Sequence, residues 1–362
     1  MTPPEPRPGV MDVAPYVGGS HEVAGVDRVI VLSANENPLG PGEHAKEAYH
    51  AAAETLHRYP EGGAAELRQA IGKRFGLDPE RIVCGAGSDE LISLLIRAYA
   101  GPGDEVLQSQ YGFLMYAISA QTAGATPVLA PETNLTANVD ALLDHVSERT
   151  RLLFLANPNN PTGTYLPASE LRRLRKGLRP DVILVIDAAY AEYVDVPDYG
   201  TGADLVTEFD NVVMTRTFSK IFGLAALRLG WAYGPPAIVD VLNRVRGPFN
   251  TTAPAQAAGI AAVGDEDHVR ASQVHNSRWI AWLTQQIGGL GLEVPPSAGN
   301  FVLVRFADKA RADAAYRFLW SRGIIARPMG GYGLPESIRV TVGLEDENRA
   351  LVDALAEHLE AP

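Results

Sequence analysis

Lys220 ends the run Thr217-Phe218-Ser219-Lys220, behind an apolar stretch and ahead of a Gly- and Ala-rich segment interrupted by Arg228. An amine set among small residues after a buried strand loses hydration, and a nearby cation lowers its proton affinity further. Such a lysine is a nucleophile toward carbonyl carbon. Most lysines are solvated surface groups, so the order of the groups that precede Lys220 carries the argument. The run CGAGSDE (84–90) turns a strand into a helix through Ala86, Gly87 and Ser88. Backbone N–H groups at such a start bind anions, chiefly phosphate. The run ANPNNPTG (156–163) fixes a rigid turn after an apolar strand and offers amide groups there. The next apolar run, VILVIDAAY, ends in Asp187 and then Tyr190. A carboxylate closing a buried strand is costly alone, which predicts a cationic partner; a neighbouring Arg would be a purely structural one.

Phosphate cradle, amide turn, strand-end carboxylate, Ser/Thr-flanked lysine and a later guanidinium are together the parts needed to hold pyridoxal 5′-phosphate. The lysine forms a Schiff base, the carboxylate keeps the pyridine nitrogen protonated and the donors hold the phosphate. A nicotinamide dinucleotide is disfavoured, because CGAGSDE lacks G-x-G-x-x-G and no acidic residue closes a following strand at the required distance.

The elements that must position these groups alternate. Strand-like runs are DRVIVLS, RIVCGAG, DEVLQSQ, TPVLA, RLLFLANP, VILVIDAAY, NVVMTRT and LGWAYG. Several are continuously apolar, as strands buried on both faces are. Helical patterns such as AAELRQAIGKRFG, SDELISLLIRAYA, GFLMYAISAQTAG and PASELRRLRKGL lie between them. The alternation predicts an α/β fold with a mostly parallel sheet covered on both sides. Beyond about residue 255 a long helical stretch leads into NFVLVRF, a helix, GIIARP, SIRVTVG and a last helix, a smaller α+β unit with a mixed or antiparallel sheet. The first thirty or so residues, with prolines at 3, 4, 6, 8 and 15, read as an extended arm. The expected division is an arm over 1–33, a large cofactor-binding domain over 34–255 and a small C-terminal domain over 256–362.

The 362 residues carry a net charge of −12 and one cysteine, Cys84. The acidic balance argues against nucleic-acid binding, and one cysteine excludes an intrachain disulfide and a cysteine-based zinc site. No apolar run is long enough to span a bilayer, so the expectation is a cytoplasmic protein with no membrane partner.

The sequence resembles the fold-type-I, pyridoxal-phosphate-dependent aminotransferases, and within them the histidinol-phosphate group. The similarity spans nearly the whole chain, through APYVGG, LSANENPLGP, HRYPEGG, GAGSDELI, NPNNPTGTY, IDAAYAEY, RTFSKIFGLAALRLGWAYG and ARPMGGYGLPESIRVTVG. It implies an aspartate-aminotransferase-like, three-layer αβα large domain with a mixed, mostly parallel sheet. It also implies a catalytic set of Lys220, Asp187 and Tyr190. Lys220 holds the cofactor aldehyde, Asp187 the pyridine nitrogen, and Asn160 and Tyr190 the phenolic oxygen. Ala86, Gly87, Ser88, Thr217, Ser219 and Arg228 surround the phosphate, and Tyr111 covers the ring. Tyr59 reaches the phosphate of the other subunit, which makes the protein a homodimer with shared active sites. Arg339 clamps the substrate anion beside Asn160, and Arg327 and Tyr16 stand near its distal end. The implied reaction moves the amine of L-histidinol phosphate to 2-oxoglutarate, in histidine biosynthesis. Relatives that accept aromatic amino acids share almost every motif, so a broad aromatic aminotransferase is the alternative. A decarboxylase of phospho-amino acids on the same scaffold is less favoured.

Overall fold

The computed structural model describes residues 6–7, 9–13, 23, 25–26 and 28–360. Seven strands form its main sheet, in the order Ile82–Gly85, Gly230–Tyr233, Val212–Thr217, Ile183–Asp187, Thr150–Ala156, Glu105–Ser109 and Thr126–Ala130. Gly230–Tyr233 runs antiparallel to both neighbours; the other pairs are parallel. These are seven of the eight expected strands, and they give the expected mixed, mostly parallel sheet.

Alternation along each strand sends successive side chains to opposite faces. Leu153, Leu155, Leu184, Ile186, Val212 and Met214 enter one buried cluster, which also takes Leu67, Leu171 and Ala258 from covering helices. Leu152, Phe154, Ile183, Val185 and Val213 enter the other, with Leu95 and Leu242 from helices on that side. A sheet buried on both faces needs apolar residues at every position, which is why these runs lack polar alternation.

The eighth strand-like run, DRVIVLS, lies within the expected arm and joins no strand of this sheet. Only Ile30–Val31 is a strand, and it pairs in parallel with Ile324–Ile325. Ile30 and Leu32 are buried among Trp279, Val302, Ile324 and Val340 of the C-terminal unit. Apolar periodicity specifies a strand but not its partner. The C-terminal unit has an antiparallel sheet in the order Phe301–Arg305, Ser337–Thr341, Arg327–Pro328. The helices Glu266–Gly289, Lys309–Ser321 and Glu345–Glu360 pack with it. GIIARP is thus split, its two halves serving different sheets.

Five α-helices fall outside the expected set: Glu43–Ala52, Val139–Asp144, Ala203–Glu208, Pro236–Val245 and Ala253–Gly264. The last is small and apolar apart from Gln256, so it carries little amphipathic signal. Its Gly259 lets it lie close, since a Cβ there would come within 2.5 Å of Leu229. Ala255, Ala258 and Val269 join the core of the large sheet, so that packing extends past residue 255. In the arm, Val10–Asp12 forms a 3-10 turn, and Arg7 donates to the carbonyl of Thr122 at 2.6 Å.

Arg216, on the strand Val212–Thr217, pairs with Glu192, and their side chains are only 6% and 7% exposed. The guanidinium also lies 4.6 Å from the ring of Phe75 and 5.4 Å from that of Trp231. Removing one partner would strand a buried charge. Glu192→Ala is therefore expected to cost about 3–5 kcal/mol, read as a lowered urea midpoint of the apo-protein at fixed concentration. An unchanged midpoint would show that the two rings suffice to hold the cation.

Candidate active site

The strands Thr150–Ala156, Ile183–Asp187 and Val212–Thr217 bring their carboxyl ends to one cavity of about 230 Å³. Ligand sites in open α/β sheets lie at this edge. Ser88, Asn160, Asp187, Tyr190, Thr217, Ser219, Lys220 and Arg228, all expected from the sequence, line it.

Lys220 lies in the loop that follows Val212–Thr217, and its Nζ donates to the carbonyl of Ala34 at 3.0 Å. The amine stands 5.8 Å from the centre of the Tyr190 ring. Burial, with help from the positive charge of Arg339, pushes its pKa down to about 8. The carboxylates of Asp89 and Glu36 oppose that shift without reversing it.

Asp187 is 5% exposed, and burial pushes its carboxyl up to about 6. The cationic partner expected for it is replaced by hydroxyls. Tyr116 donates to Oδ2 at 2.7 Å and Thr215 to Oδ1 at 3.2 Å. Both bonds favour the ionised form and hold the shift back. Neither residue was singled out in the sequence. Tyr116 belongs to the helix Leu114–Ala123, and Thr215 pairs with Asp187 in the sheet register.

At the other end, Arg228 donates to Ser219 Oγ at 3.3 Å and the Ala225 carbonyl at 3.0 Å, and pairs with Asp89 at 3.0 Å. The helix Ser88–Tyr99 begins here. Gly87 has φ +83°, and a Cβ on it would come within 2.6 Å of the Arg228 guanidinium. Gly230 is as constrained: its Cβ would meet Ser88 N at 2.4 Å. Two of the expected amides point elsewhere, Ala86 N–H to Glu90 at 2.6 Å and Gly87 N–H to the Gly85 carbonyl at 2.8 Å. The groups at this end of the cavity wall with the chemistry to take an anion are therefore Ser88, Thr217, Ser219 and Arg228.

The C-terminal unit reaches the cavity's lining residues through hydrogen bonds. Arg339 donates to Asn160 Oδ1 and to the Ser33 carbonyl. Asn35 donates to the Tyr190 hydroxyl at 2.9 Å, while its N–H donates to Thr341 at 2.9 Å. Burial raises the Tyr190 phenol to about 12. Ala34, Asn35 and Glu36 thus belong to the site, and the quoted motif LSANENPLGP was the only sequence signal for them.

Other expected residues stand apart. Tyr111 packs with Leu303, Met329 and Leu334, and Phe113 rather than Tyr111 lines the cavity. Tyr59 is 83% exposed and stacks on Phe249 at 4.7 Å, away from the cavity. Arg327 sits directly across the sheet from Arg339. Tyr16 lies outside the described residues. Among the described residues no group of three or more His, Cys, Asp or Glu could hold a metal ion, and no helix is long and apolar enough to cross a membrane.

A lysine of lowered pKa in one cavity with Arg228 and a buried carboxylate, at the end of a sheet of this topology, is the setting for the comparison with known proteins. Residues 27–355 match the family of class I and II aminotransferases. The chain belongs to that family. It is 60% identical over 363 residues to the histidinol-phosphate aminotransferase of Paramagnetospirillum magneticum, covering 100% of both. It is 57% identical to that of Rhodospirillum centenum, covering 99% of each. The crystal structure of histidinol-phosphate aminotransferase from Sinorhizobium meliloti in complex with pyridoxal-5′-phosphate matches with a TM-score of 0.91 at 27% identity. That match covers 98% of this chain and 97% of the other. An aspartate aminotransferase from Rhizobium meliloti shares the fold at 22% identity, with a TM-score of 0.81 over 92% of this chain and 91% of its own.

The depressed Lys220 makes a prediction of definite sign. Its folded pKa of about 8 lies below its ordinary value of 10.5. The unfolded chain therefore holds a proton that the folded one has given up across that window, and stability rises with pH there. Apo Lys220→Met is expected to melt higher than wild type near about pH 7, with the advantage fading by about pH 10. Thermal unfolding at the two pH values checks this, and an equal difference at both would contradict it.

Proposed function

We propose that this protein transfers the amino group of L-histidinol phosphate to 2-oxoglutarate with pyridoxal 5′-phosphate, giving imidazole-acetol phosphate and glutamate in histidine biosynthesis. The observation that carries the chemistry is the placement of Lys220 in one cavity between Arg228 with Ser219 and the buried Asp187. The full-length likeness to histidinol-phosphate aminotransferases supports the substrate.

The residues present fit the cofactor. Ser88, Thr217, Ser219 and Arg228 would hold its phosphate, a planar guanidinium being suited to a phosphate edge. Asp187 would hold the ring nitrogen, and Asn160 and Tyr190 the phenolic oxygen. When bound, pyridoxal 5′-phosphate supplies an aldehyde that captures amines and a ring that accepts electrons from the donor carbon.

The chain's own groups do the rest. An amine with a pKa near 8 is neutral often enough to take a proton from the donor carbon and, once charged, to give it up at another atom. Asp187, a carboxylate in a dry wall, stabilises positive charge beside it. Arg339 is 6% exposed and anchored on Asn160 and Ser33, so its fork is preset to bind an anion. Histidinol phosphate presents a phosphate and 2-oxoglutarate a carboxylate, and one guanidinium serves both in turn. Arg327 across the sheet adds a second positive charge toward the distal end.

Further parts of this proposal concern assembly. The chain would work as a homodimer in the cytoplasm, with Tyr59 completing the site of the partner; its exposure beside Phe249 supports that reading. The arm over 1–33 and the bodies over 34–255 and 256–362 would be its working units.

Two experiments test the proposal. Borohydride reduction of the holo-protein should fix the cofactor covalently on wild type and leave Lys220→Ala unlabelled; labelling of the variant would remove Lys220 from its role. A panel of amino donors with 2-oxoglutarate should give a higher kcat/KM for histidinol phosphate than for phenylalanine. The reverse order would make the enzyme a broad aromatic aminotransferase.

A further inference from the structure

Asp187 lines the cavity, and each of its oxygens accepts from a hydroxyl, with a backbone hydrogen bond from Ala189 besides. The two hydroxyls differ in kind. Thr215 lies on the neighbouring strand, at 3.2 Å from Oδ1. Tyr116 comes from the helix Leu114–Ala123, is fully buried and donates at 2.7 Å to Oδ2. Its ring stacks on Phe154 of the sheet at 4.7 Å, with Phe113 edge-on at 5.7 Å. The oxygen therefore has little freedom to move off the carboxylate.

We infer that Tyr116 is a positioning residue for Asp187: its hydroxyl holds the carboxylate in its charged form and leaves the remaining lone pairs to a ligand in the cavity. This rests on the proposed function in that the ligand group is taken to be a protonated ring nitrogen.

The electrostatic surroundings leave that task to hydrogen bonds. The titratable groups that act on Asp187 are Tyr116, Tyr190, Tyr199 and Asp89. Burial raises all three phenols, Tyr190 to about 12, so none of them supplies charge at neutral pH. Asp89 is an anion and raises the Asp187 carboxyl. No cation pairs with Asp187 among the described residues. What opposes burial is hydrogen bonding, and Tyr116 is the largest of those contributions. A neutral, protonated Asp187 could not stabilise a positive ring nitrogen. The phenol thereby does the work that a guanidinium would do, without adding a second charge to a dry wall.

The test is the pH dependence of Tyr116→Phe, which keeps the stack on Phe154 and deletes one oxygen. Two profiles are measured: affinity of the apo-protein for pyridoxal 5′-phosphate, and kcat/KM for amino transfer. Their acid limbs are expected to move up by about one pH unit, a roughly threefold loss near about pH 6.5 that approaches tenfold below about pH 5 and is largely recovered near about pH 9. Thr215→Val should move them the same way by less. A loss uniform across pH, or unmoved limbs, would overturn the inference. Infrared titration of the apo-protein, with Asp187→Asn as the blank, reads the carboxyl directly. It shows the upward shift in Tyr116→Phe even if the wild type transfers no amino group, so failure of the functional proposal and failure of this inference are separable.

Discussion

A carboxylate buried at the end of a central strand is the constraint around which the site is organised. Asp187 cannot be hydrated where it sits, and an isolated charge in such a wall would neutralise itself. The fold answers with hydroxyls from two directions, one across the sheet and one from a covering helix. That answer ties the helix Leu114–Ala123 to the chemistry through its buried tyrosine, although the helix does not reach the lysine. It also keeps positive charge away from this wall, so the cations of the site stand elsewhere, Arg228 at one end and Arg339 on the far side.

The second organising contact is the short segment from Ser33 to Asn35. Its Ser33 carbonyl accepts from Arg339, its Ala34 carbonyl accepts from Lys220, and its Asn35 bridges Thr341 and Tyr190. Asn35 does this with φ +55°, a left-handed conformation that Asn tolerates better than most residues. The segment is thus a seam between the sheet whose strand leads into Lys220 and the sheet that carries Arg339. Its upstream strand, Ile30–Val31, is anchored on the C-terminal unit.

Much of this was legible in the chain before folding. The seven sheet strands announced themselves because a doubly covered sheet demands apolar residues at successive positions, and few other structures do. Lys220, Asp187, Ser88 and Arg228 were legible because each follows such a strand or opens the next helix. Less legible was anything fixed by contact between distant segments. Tyr116 reads as an aromatic core residue of its helix, and nothing local reports that its oxygen ends on Asp187, 71 positions away. The partner of the strand Ile30–Val31 was not legible, because its pattern is the same whichever strand it pairs with. The helix Ala253–Gly264 escaped notice because its small residues have no polar face.

The sequence by itself determined the order of the parts: phosphate turn, amide turn, strand-end acid, lysine, arginine, then a pair of arginines on a second sheet. Order is carried by local pattern, since periodicity and turn chemistry act over a few residues. Only the tertiary structure decided what each charge faces. It gave Asp187 two hydroxyls in place of a cation, turned the Ala86 and Gly87 amides away from the cavity and brought Asn35 to Tyr190. Those outcomes depend on which surfaces pack together, and burial, which sets the cost of each charge, is a property of the packed whole.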